Sequence, residues 1–330
     1  MKKFYLRDND LFKELGRAPS SEPLYATLKN DSTTTNIMTM ISRLGFKPTK
    51  KQNIKSDLLQ TTEDITIVIP VKDNQNGIDL FLTEFFTTHS ADNFPKEIII
   101  VDNNSTPKIE ISRTDFPIQV RLLTCSKIGP ASARNFGVQH SKTNWILFTD
   151  SDCVPTSNLL TGYLKVQNGS VGYAGNIKAH GQDIISKYYE QQEILVPPKV
   201  YERPNEPRPD YLITANCLVW RPAFDKVGGF NETIKIAGGE DIDLGFKLLN
   251  IGQLTYAFDS IAKHNFGDGL RDFKERFVRY GYGNKIISKL YDLDLKPKTF
   301  KPNKRTPINF ILAFMQYIWL TEGYKNGITQ

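Results

Sequence analysis

The sequence predicts a mixed α/β fold built on a mostly parallel, Rossmann-like sheet flanked by helices. Three observations support this prediction. The chain contains four short runs rich in isoleucine, valine and leucine, helical segments lie between several of them, and polar or acidic residues follow three of the runs directly. Strands that alternate with helices pair in parallel, because each helix carries the chain back across one face of the sheet. A smaller second sheet, an N-terminal arm and a helical C-terminal tail complete the predicted architecture.

The four runs are predicted to be buried strands, because β-branched residues pack well on a pleated surface. They are residues 65–70, 97–101, 118–124 and 145–149. Helices are predicted at residues 77–89 and 129–140. If the strands are parallel, their carboxyl ends lie at one edge of the sheet, where open α/β sheets bind ligands.

The second half of this region is less regular. A strand is predicted at residues 171–177 and a helix at 182–193. The proline-rich residues 196–210 are expected to form a loop without regular structure, of the kind that often covers a site. Residues 213–220 are expected to be extended, and a short strand is expected at 256–258.

The composition fits a globular chain with a full core and a modestly basic surface. The 330 residues include 42 Lys and Arg against 36 Asp and Glu, a formal net charge of +6 without a long basic block. This balance suits phosphate-bearing ligands or an anionic membrane face better than nucleic acid. The three cysteines form no CxxC pair, which argues against a zinc site or a disulfide framework and fits a reducing compartment.

The fourth strand ends at two aspartates, Asp150 and Asp152, with Ser151 between them. Paired carboxylates at a strand end suit a hard divalent cation that also holds a diphosphate. The alternative is that they form a turn and cap a helix starting near Pro155. In the metal interpretation Asp152 is the direct ligand, because it lies farther past the strand, and Asp150 contacts a ribose or a metal-bound water.

Two other strand ends carry candidate ligand-binding residues. The first strand leads into Pro70, Val71 and Asp73, and the second leads into Asp102. A carboxylate at such a position can accept hydrogen bonds from a base or a ribose. Asp-Asn is also a common turn sequence, so a purely structural role for Asp102 stays open.

The helix after Gly129 begins at the same edge of the predicted sheet. The N–H groups at a helix N-terminus bind anions, so Gly129 is a candidate contact to a phosphate. Arg134 lies in the first turns of this helix. It can reach a phosphate, brace the aspartate pair, or form an internal ion pair.

A second acidic cluster follows Gly238-Gly239 and consists of Glu240, Asp241 and Asp243. Acidic residues at a helix N-terminus are favoured by the helix dipole, which is the structural explanation of the cluster. A carboxylate within reach of an acceptor hydroxyl can also act as a general base. We expect one of these three acidic residues to have that role.

The chain resembles family 2 glycosyltransferases of the GT-A fold over residues 64–265, through VIPVKDN, IIIVDNNS, GPASARNFG, ILFTDSD and VWRPAFDKVGGFNE followed by GGEDIDLGFKL. The last block is the most specific of these. The resemblance implies inverting transfer of a sugar from a nucleotide-sugar donor, with a UDP-sugar expected, to an acceptor hydroxyl. It also implies help from a divalent metal, Mn²⁺ or Mg²⁺.

The resemblance implies roles for single residues. Asp102 would hold the nucleoside, while Asp150 and Asp152 would hold the metal and the diphosphate. The acidic pair Glu240-Asp241 would supply the catalytic base, and Asp241 is the preferred candidate.

The region after these motifs leaves several alternatives open. Some relatives use a histidine at the position of His264 as a third metal ligand, and the alternative is a structural histidine. The processive synthases of the family carry Gln-x-x-Arg-Trp and membrane helices, which are not found in this sequence, so addition of one or few sugars is expected. Instead, Arg271, Lys274, Arg276 and Arg279 lie on a predicted helix. They would contact donor phosphate or acceptor, or form a solvated basic face.

Three regions are expected, namely an N-terminal extension at residues 1–63, a GT-A domain at 64–268 and a C-terminal helical region at 269–330. Short helices are expected at residues 11–15 and 37–44 of the extension.

The apolar run at residues 308–320 is too short to span a bilayer. It is expected to pack on the domain or to form a homodimer contact, with a peripheral membrane contact as the alternative. The first residues lack the apolar segment of a signal peptide, so a cytoplasmic location is expected, with the inner face of the membrane as an option. The acceptor stays open among glycan, lipid, peptide and small molecule.

Two other functions are compatible with a sheet of this kind, and the sequence disfavours both. A sugar-phosphate nucleotidyltransferase would need a Gly-rich basic loop after the first strand, where this chain has Pro70-Val71-Lys72-Asp73-Asn74. A non-catalytic sugar-nucleotide-binding module is disfavoured because both acidic clusters are present.

Overall fold

The computed structural model describes residues 53–203, 206–267 and 269–327. These residues form a mixed α/β fold with a curled eight-stranded sheet, a smaller two-stranded sheet and two long C-terminal helices. The short helices expected at residues 11–15 and 37–44 lie outside the described residues.

The first half of the fold has the predicted alternation of strands and helices. Its elements are β1 (Ile65–Val71), α1 (Gln75–Thr88), β2 (Glu97–Asp102), β3 (Gln119–Thr124), α2 (Pro130–His140) and β4 (Trp145–Thr149). The strands pair in parallel in the order β3-β2-β1-β4, which confirms that their carboxyl ends share one edge. Along β1, Ile67 and Ile69 join one hydrophobic core and Val68 joins another, because successive side chains point to opposite faces.

The second half extends the same sheet in the order β4-β9-β6-β10-β5. Its elements are β5 (Cys153–Pro155), α3 (Thr161–Leu164), β6 (Gly172–Ala179), α4 (Ile184–Gln191), β7 (Lys199–Arg203), β8 (Glu206–Pro209), β9 (Asn216–Trp220), α5 (Arg221–Lys226), α6 (Glu240–Leu249) and β10 (Leu254–His264). Strand β9 is antiparallel to β4 and β6, and β5 is antiparallel to β10.

The structure differs in two details from what the sequence suggested for this half: the alternative of a helix near Pro155 is wrong, and the strand predicted at residues 256–258 is present but longer. The residues after Asp152 do not start a helix near Pro155, since Cys153–Pro155 pair with β10 as a short strand. The expected short strand at residues 256–258 is part of the eleven-residue β10, whose pairing with β6 shifts register between Ala257 and Ile261.

The proline-rich stretch at residues 196–210 also differs from the prediction, because β7 and β8 form a hairpin within it. Pro207 lies opposite Tyr201, and Pro209 lies opposite Lys199. In the described sheets these two strands pair only with each other. Proline is tolerated there because an edge strand does not need every N–H for the ladder.

The three-residue link between β4 and β5 forces the sheet to curl. In the order of the sheet, β5 lies four strand spacings away from β4. In a flat sheet the two strands would therefore be about 19 Å apart. The chain from Thr149 to Cys153 can span at most about 14 Å. The sheet therefore bends until the end of β4 approaches β5, and this closes one side of a cavity above the strand ends.

The C-terminal helices are α7 (Leu270–Tyr291) and α8 (Pro307–Asn326). They approach closely at glycines, since a Cβ on Gly281 would meet the backbone of Leu320 and one on Gly323 would meet that of Val278. Buried side chains of both helices belong to the same hydrophobic cluster as β1 and α1. We keep the boundaries 63/64 and 268/269 as a proposal about domain organisation. Within the described residues, no helix combines the length and apolarity needed to cross a bilayer.

Candidate active site

A cavity of about 560 Å³ lies above the carboxyl ends of the parallel strands. Its wall includes most of the residues that sequence reasoning selected: Pro70, Val71, Gly129, Arg134, Asp150, Ser151, Asp152, Glu240, Asp241 and His264. Residues of α7, α8 and the segment between them close the side opposite the sheet. The fold thus brings the two acidic clusters of the sequence into one site.

The Asp150–Asp152 loop is held in place by the start of α1. Asn74 caps this helix by accepting a hydrogen bond from the N–H of Gly77, and its amide donates to the carbonyl and the hydroxyl of Ser151. A Cβ on Gly77 would collide with the Ser151 carbonyl, so the close approach requires glycine. Sequence reasoning missed this contact, although Asn74 has the residue type of a helix cap.

Arg134 is buried between the two acidic clusters. Its guanidinium donates to Oδ1 of Asp150 at 2.7 Å and to Oε1 of Glu240 at 2.9 Å. Burial alone would lower the pKa of Arg134, but the two carboxylates outweigh burial and raise it. Of the roles considered for Arg134, the structure shows the internal ion pair that braces Asp150.

Glu240 is fully engaged in this brace. Its side chain is 4% exposed, and its second oxygen accepts a 2.7 Å hydrogen bond from the N–H of Gly238. Gly239, which precedes the helix, has φ of 102°, a conformation in which glycine is favoured. These contacts leave Glu240 as the residue that fixes the start of α6.

Asp241 faces the cavity beside this brace. Burial and the adjacent Glu240 carboxylate raise the pKa of Asp241 to about 8. A carboxylate whose pKa is raised in this way is, once ionised, a stronger proton acceptor than an exposed aspartate.

Asp152 lies next to His264 at the other end of the loop. Oδ1 of Asp152 is 3.2 Å from Nε2 of His264, and the backbone carbonyl of Asp152 accepts from the N–H of Asn265. The pairing of Cys153 opposite His264 in β5 and β10 produces this approach. Burial lowers the pKa of His264 to about 3, so the imidazole is neutral. Although 36% of the Asp152 side chain is exposed, the surrounding protein raises the pKa of its carboxyl, and Arg276 opposes that effect.

The donor atoms of Asp152 and His264 fit a divalent metal. Side-chain ligand atoms of Asp152, Cys153 and His264 all lie within 4.8 Å of one another. The Cys153 thiol donates to the carbonyl of Ala215 and burial raises its pKa well above the usual range, so it is not available as a thiolate. Nδ1 of the buried His264 has no hydrogen-bond partner among the described residues. A carboxylate and a neutral imidazole are the ligand set that Mn²⁺-like metals accept.

The predicted nucleoside and phosphate contacts divide into two groups. Pro70, Val71 and Gly129 line the cavity. Asp102 is buried, and its carboxylate accepts from the N–H groups of Ser105 and Ile109. Among the described residues of this strand end, Asn103 is the one that reaches the cavity wall.

Asn103 and Asp73 both hold loops together. The Asn103 side chain accepts from the N–H of Gly129 at 2.8 Å and donates to the carbonyl of Lys127. Asp73 accepts from the N–H of Thr106 at 2.7 Å, which links the loops after β1 and β2. Asp73 therefore stabilises the loops next to the cavity.

Among the basic residues of α7, Arg276 and Arg279 line the cavity. Arg271 is largely exposed, whereas the Arg276 side chain is 13% exposed and lines the cavity. Its guanidinium lies over the rings of Tyr189 and Phe266 and 3.8 Å from Oδ2 of Asp152. A helix with scattered arginines gave no signal for this burial, because Tyr189 is distant in the sequence and Phe266 lies outside the helix.

The family of this chain follows from comparison with known proteins. The model of glycosyl transferase family 2 matches residues 66–228. These residues run from β1 to β9 and include Asp150 and Asp152. Residues 66–228 belong to glycosyltransferase family 2. The match ends before Asp241 and His264, so it includes Asp150 and Asp152 but neither of these two residues.

Two curated relatives, both named as glycosyltransferases, support this assignment. The pre-mycofactocin glycosyltransferase of Mycobacterium tuberculosis is 29% identical over 230 residues, covering 66% of this chain and 46% of that protein. An uncharacterized glycosyltransferase of Haemophilus influenzae is 32% identical over 206 residues, covering 58% of this chain and 64% of that protein. The chain thus spans about half the length of the mycobacterial protein.

A solved structure shares the fold of this chain. The mannosyltransferase of Pyrobaculum calidifontis, in complex with GDP-mannose and Mn²⁺, superposes with a TM-score of 0.50 and 13% sequence identity. The superposition covers 87% of this chain and 77% of the mannosyltransferase. It confirms a GT-A fold for the described residues.

Proposed function

We propose that this chain transfers a sugar, with inversion, from a nucleotide-sugar donor to an acceptor hydroxyl, with a UDP-sugar as the donor and a divalent metal as helper. One observation carries the proposal: a single cavity holds two groups of side chains. Asp241 lies beside the ion pairs of Arg134, and Asp152, His264 and Arg276 converge at the end of the Asp150–Asp152 loop. The mannosyltransferase that shares the fold was solved with a nucleotide sugar and Mn²⁺, which supports this kind of donor and metal.

The nucleoside is proposed to lie against Pro70, Val71 and Asn103, above the ends of β1 and β2. Asp102 would act there through the backbone of its loop and Asp73 through the adjoining loop. The diphosphate would follow toward Ser151 and Asp152, with the helix N-terminus after Gly129 on one side.

The leaving diphosphate develops negative charge as the glycosidic bond breaks. Asp152 and His264 would hold the metal, which when bound neutralises part of this charge. Asp150 would be oriented by Arg134 toward ribose or a metal-bound water. Arg276 would donate to the diphosphate, and its buried guanidinium is effective because little water screens it.

Asp241 would accept the proton of the attacking hydroxyl. Inversion requires the base and the leaving group to lie on opposite sides of the anomeric carbon. Asp241 and the proposed metal ligands Asp152 and His264 belong to different elements of the cavity wall, as this arrangement requires. Glu240 would position Asp241 through its bonds to Arg134 and Gly238.

Release of nucleoside diphosphate tests the proposal. UDP-sugars and GDP-sugars are supplied with and without Mn²⁺, and both hydrolysis and transfer are measured. Asp241→Asn should abolish transfer while donor affinity, measured by calorimetry, stays within about threefold of wild type. Asp259→Asn, at an exposed ion pair with Lys165, is the matched control and should retain activity.

Two results would contradict the proposal. One is the absence of turnover with every donor. The other is loss of donor affinity in Asp241→Asn, which would place Asp241 on the donor side of the site.

A further inference from the structure

Helix α8 is apolar on two opposite faces, and only one of them packs against the protein. The inner face carries Leu312, Ala313, Gln316 and Leu320, which are buried against the rest of the chain. This confirms the prediction that the apolar run packs on the domain. Gln316 and Leu320 also line the catalytic cavity, so α8 forms part of its wall.

The outer face of α8 is exposed and almost wholly apolar. Its large side chains are between 42% and 59% exposed: Phe310, Ile311, Phe314 and Ile318. At 100° per residue these four positions fall within one stripe about 100° wide, opposite the buried face. With the adjacent Ile308 they present on the order of 400 Å² of apolar surface, which is within the range that marks interaction sites on soluble proteins.

The chain around this face is basic. Residues 295–321 contain Lys296, Lys298, Lys301, Lys304 and Arg305 and no aspartate or glutamate, and the next residue, Glu322, is paired with Lys274 of α7. Lys301, Lys304 and Arg305 are exposed at the N-terminal end of α8. Lys325 is exposed at the C-terminal end of the helix. The apolar stripe thus has exposed cations at both ends.

A second copy of this chain fits the face poorly. Antiparallel pairing of two α8 helices would bring Lys304 and Arg305 near Lys325 of the other copy, and parallel pairing would bring each cation near its own equivalent. Both arrangements place like charges together at the edge of the interface, which is unfavourable. An anionic lipid surface complements the apolar stripe and the cations at once.

We propose that α8 docks this chain on a membrane that contains anionic lipids. Phe310, Ile311, Phe314 and Ile318 enter the interfacial region, and the basic residues 301–305 contact the headgroups. Because the inner face of the same helix lines the cavity, docking places the site about one helix diameter, roughly 10 Å, from the lipid surface. The proposal rests on α8 and not on the proposed sugar transfer.

Vesicle sedimentation tests the proposal with the full chain and no donor. Wild type should sediment with vesicles of phosphatidylcholine and about one-third phosphatidylglycerol, should bind pure phosphatidylcholine weakly, and should be released by added salt. The double variant Phe310→Ser/Phe314→Ser should lose at least about tenfold in partitioning, because two aromatic insertions are removed. The triple variant Lys301→Glu/Lys304→Glu/Arg305→Glu should lose the dependence on anionic lipid.

Leu58→Ser, which changes another exposed apolar residue, is the control and should bind like wild type. Circular dichroism and thermal melting confirm that each variant is folded. Failure of the wild type to bind anionic vesicles, or equal binding by the double variant, overturns the proposal. A lipid-independent dimer that the double variant dissociates, seen by light scattering, assigns the face to a second copy and also overturns it.

Discussion

Nε2 of His264 lies 3.2 Å from Oδ1 of Asp152, although the two residues come from different halves of the chain. Backbone pairing explains the distance, because Cys153 and His264 are register partners in β5 and β10. The approach is therefore built into the sheet and does not depend on a flexible loop.

The first prediction concerns metal affinity. His264→Ala and Asp152→Ala should each weaken Mn²⁺ binding by about tenfold or more, because each removes one of two converging protein ligands. Electron paramagnetic resonance of free Mn²⁺ measures this without donor or turnover. Cys153→Ser should retain affinity, since its thiol is protonated and bonded to a carbonyl. Unchanged affinity in His264→Ala would remove it from the ligand set.

The second prediction concerns the pH dependence of transfer. Asp241 must be ionised to accept a proton, and its pKa is raised to about 8 by burial and by Glu240. The value of kcat/KM should therefore rise with pH and level off above about pH 8. A profile that is flat between about pH 6 and pH 9 would show that Asp241 is not the titrating base.

The third prediction concerns stability, and its sign follows from the same shift. The pKa of Asp241 is raised from 3.8 to about 8 on folding, so the neutral side chain is favoured in the folded state. Its contribution is fully present below about pH 4 and is lost as the pH rises through about 8, with a slope of up to about 1.4 kcal/mol per pH unit. Asp241→Asn removes this loss. The melting temperature of the variant should exceed that of wild type at about pH 8, and the difference should shrink toward pH 5. A difference that is independent of pH would contradict the assignment.

The fourth prediction concerns the Arg134 brace. Arg134→Met leaves Asp150 and the buried Glu240 without their cation, which should lower the free energy of unfolding by about 3–5 kcal/mol. Urea unfolding measures this. Arg113→Met, which breaks an exposed ion pair with Asp115, should leave stability nearly unchanged. Equal effects in the two variants would show that the brace contributes little.

The fifth prediction concerns Arg276. Arg276→Met should raise KM for the donor and lower kcat, with a loss of about tenfold or more in kcat/KM, because a charged donor to the diphosphate is removed. Arg271→Met on the same helix is the control, since that side chain is exposed and pairs with Glu275. A variant of Arg276 that loses only stability would indicate a structural role.

Much of the first half of the fold could be predicted from the sequence. The strands β1, β2 and β4 are runs of largely apolar residues, and such runs can be recognised as strands from the sequence alone. The parallel order of these strands then places Asp150 and Asp152 at the edge formed by the carboxyl ends, where open α/β sheets bind ligands. In contrast, β5 is three residues long and exists because β10, more than one hundred residues later, pairs with it. No pattern in the sequence around residues 153–155 indicates that this segment pairs with β10.

The site residues divide in the same way. Residue type and position were enough to select Asp152 and Asp241, because carboxylates at a strand end and at a helix start are visible in the sequence. The burial of Arg276 depends on Tyr189 and Phe266, and the engagement of Glu240 depends on Arg134. These contacts exist only after folding, so sequence patterns could not separate Arg276 from Arg271 or Glu240 from Asp241 by environment.

The link of three residues between β4 and β5 has a mechanical consequence. Because it is a compact turn, in which the N–H of Cys153 donates to the carbonyl of Asp150, a ligand that draws Asp152 toward itself also pulls on both strands to which the link is tied. We expect donor binding to tighten β5 and β10 as well as β4. Amide hydrogen exchange should then slow along β10, including residues on its far side that never touch the ligand.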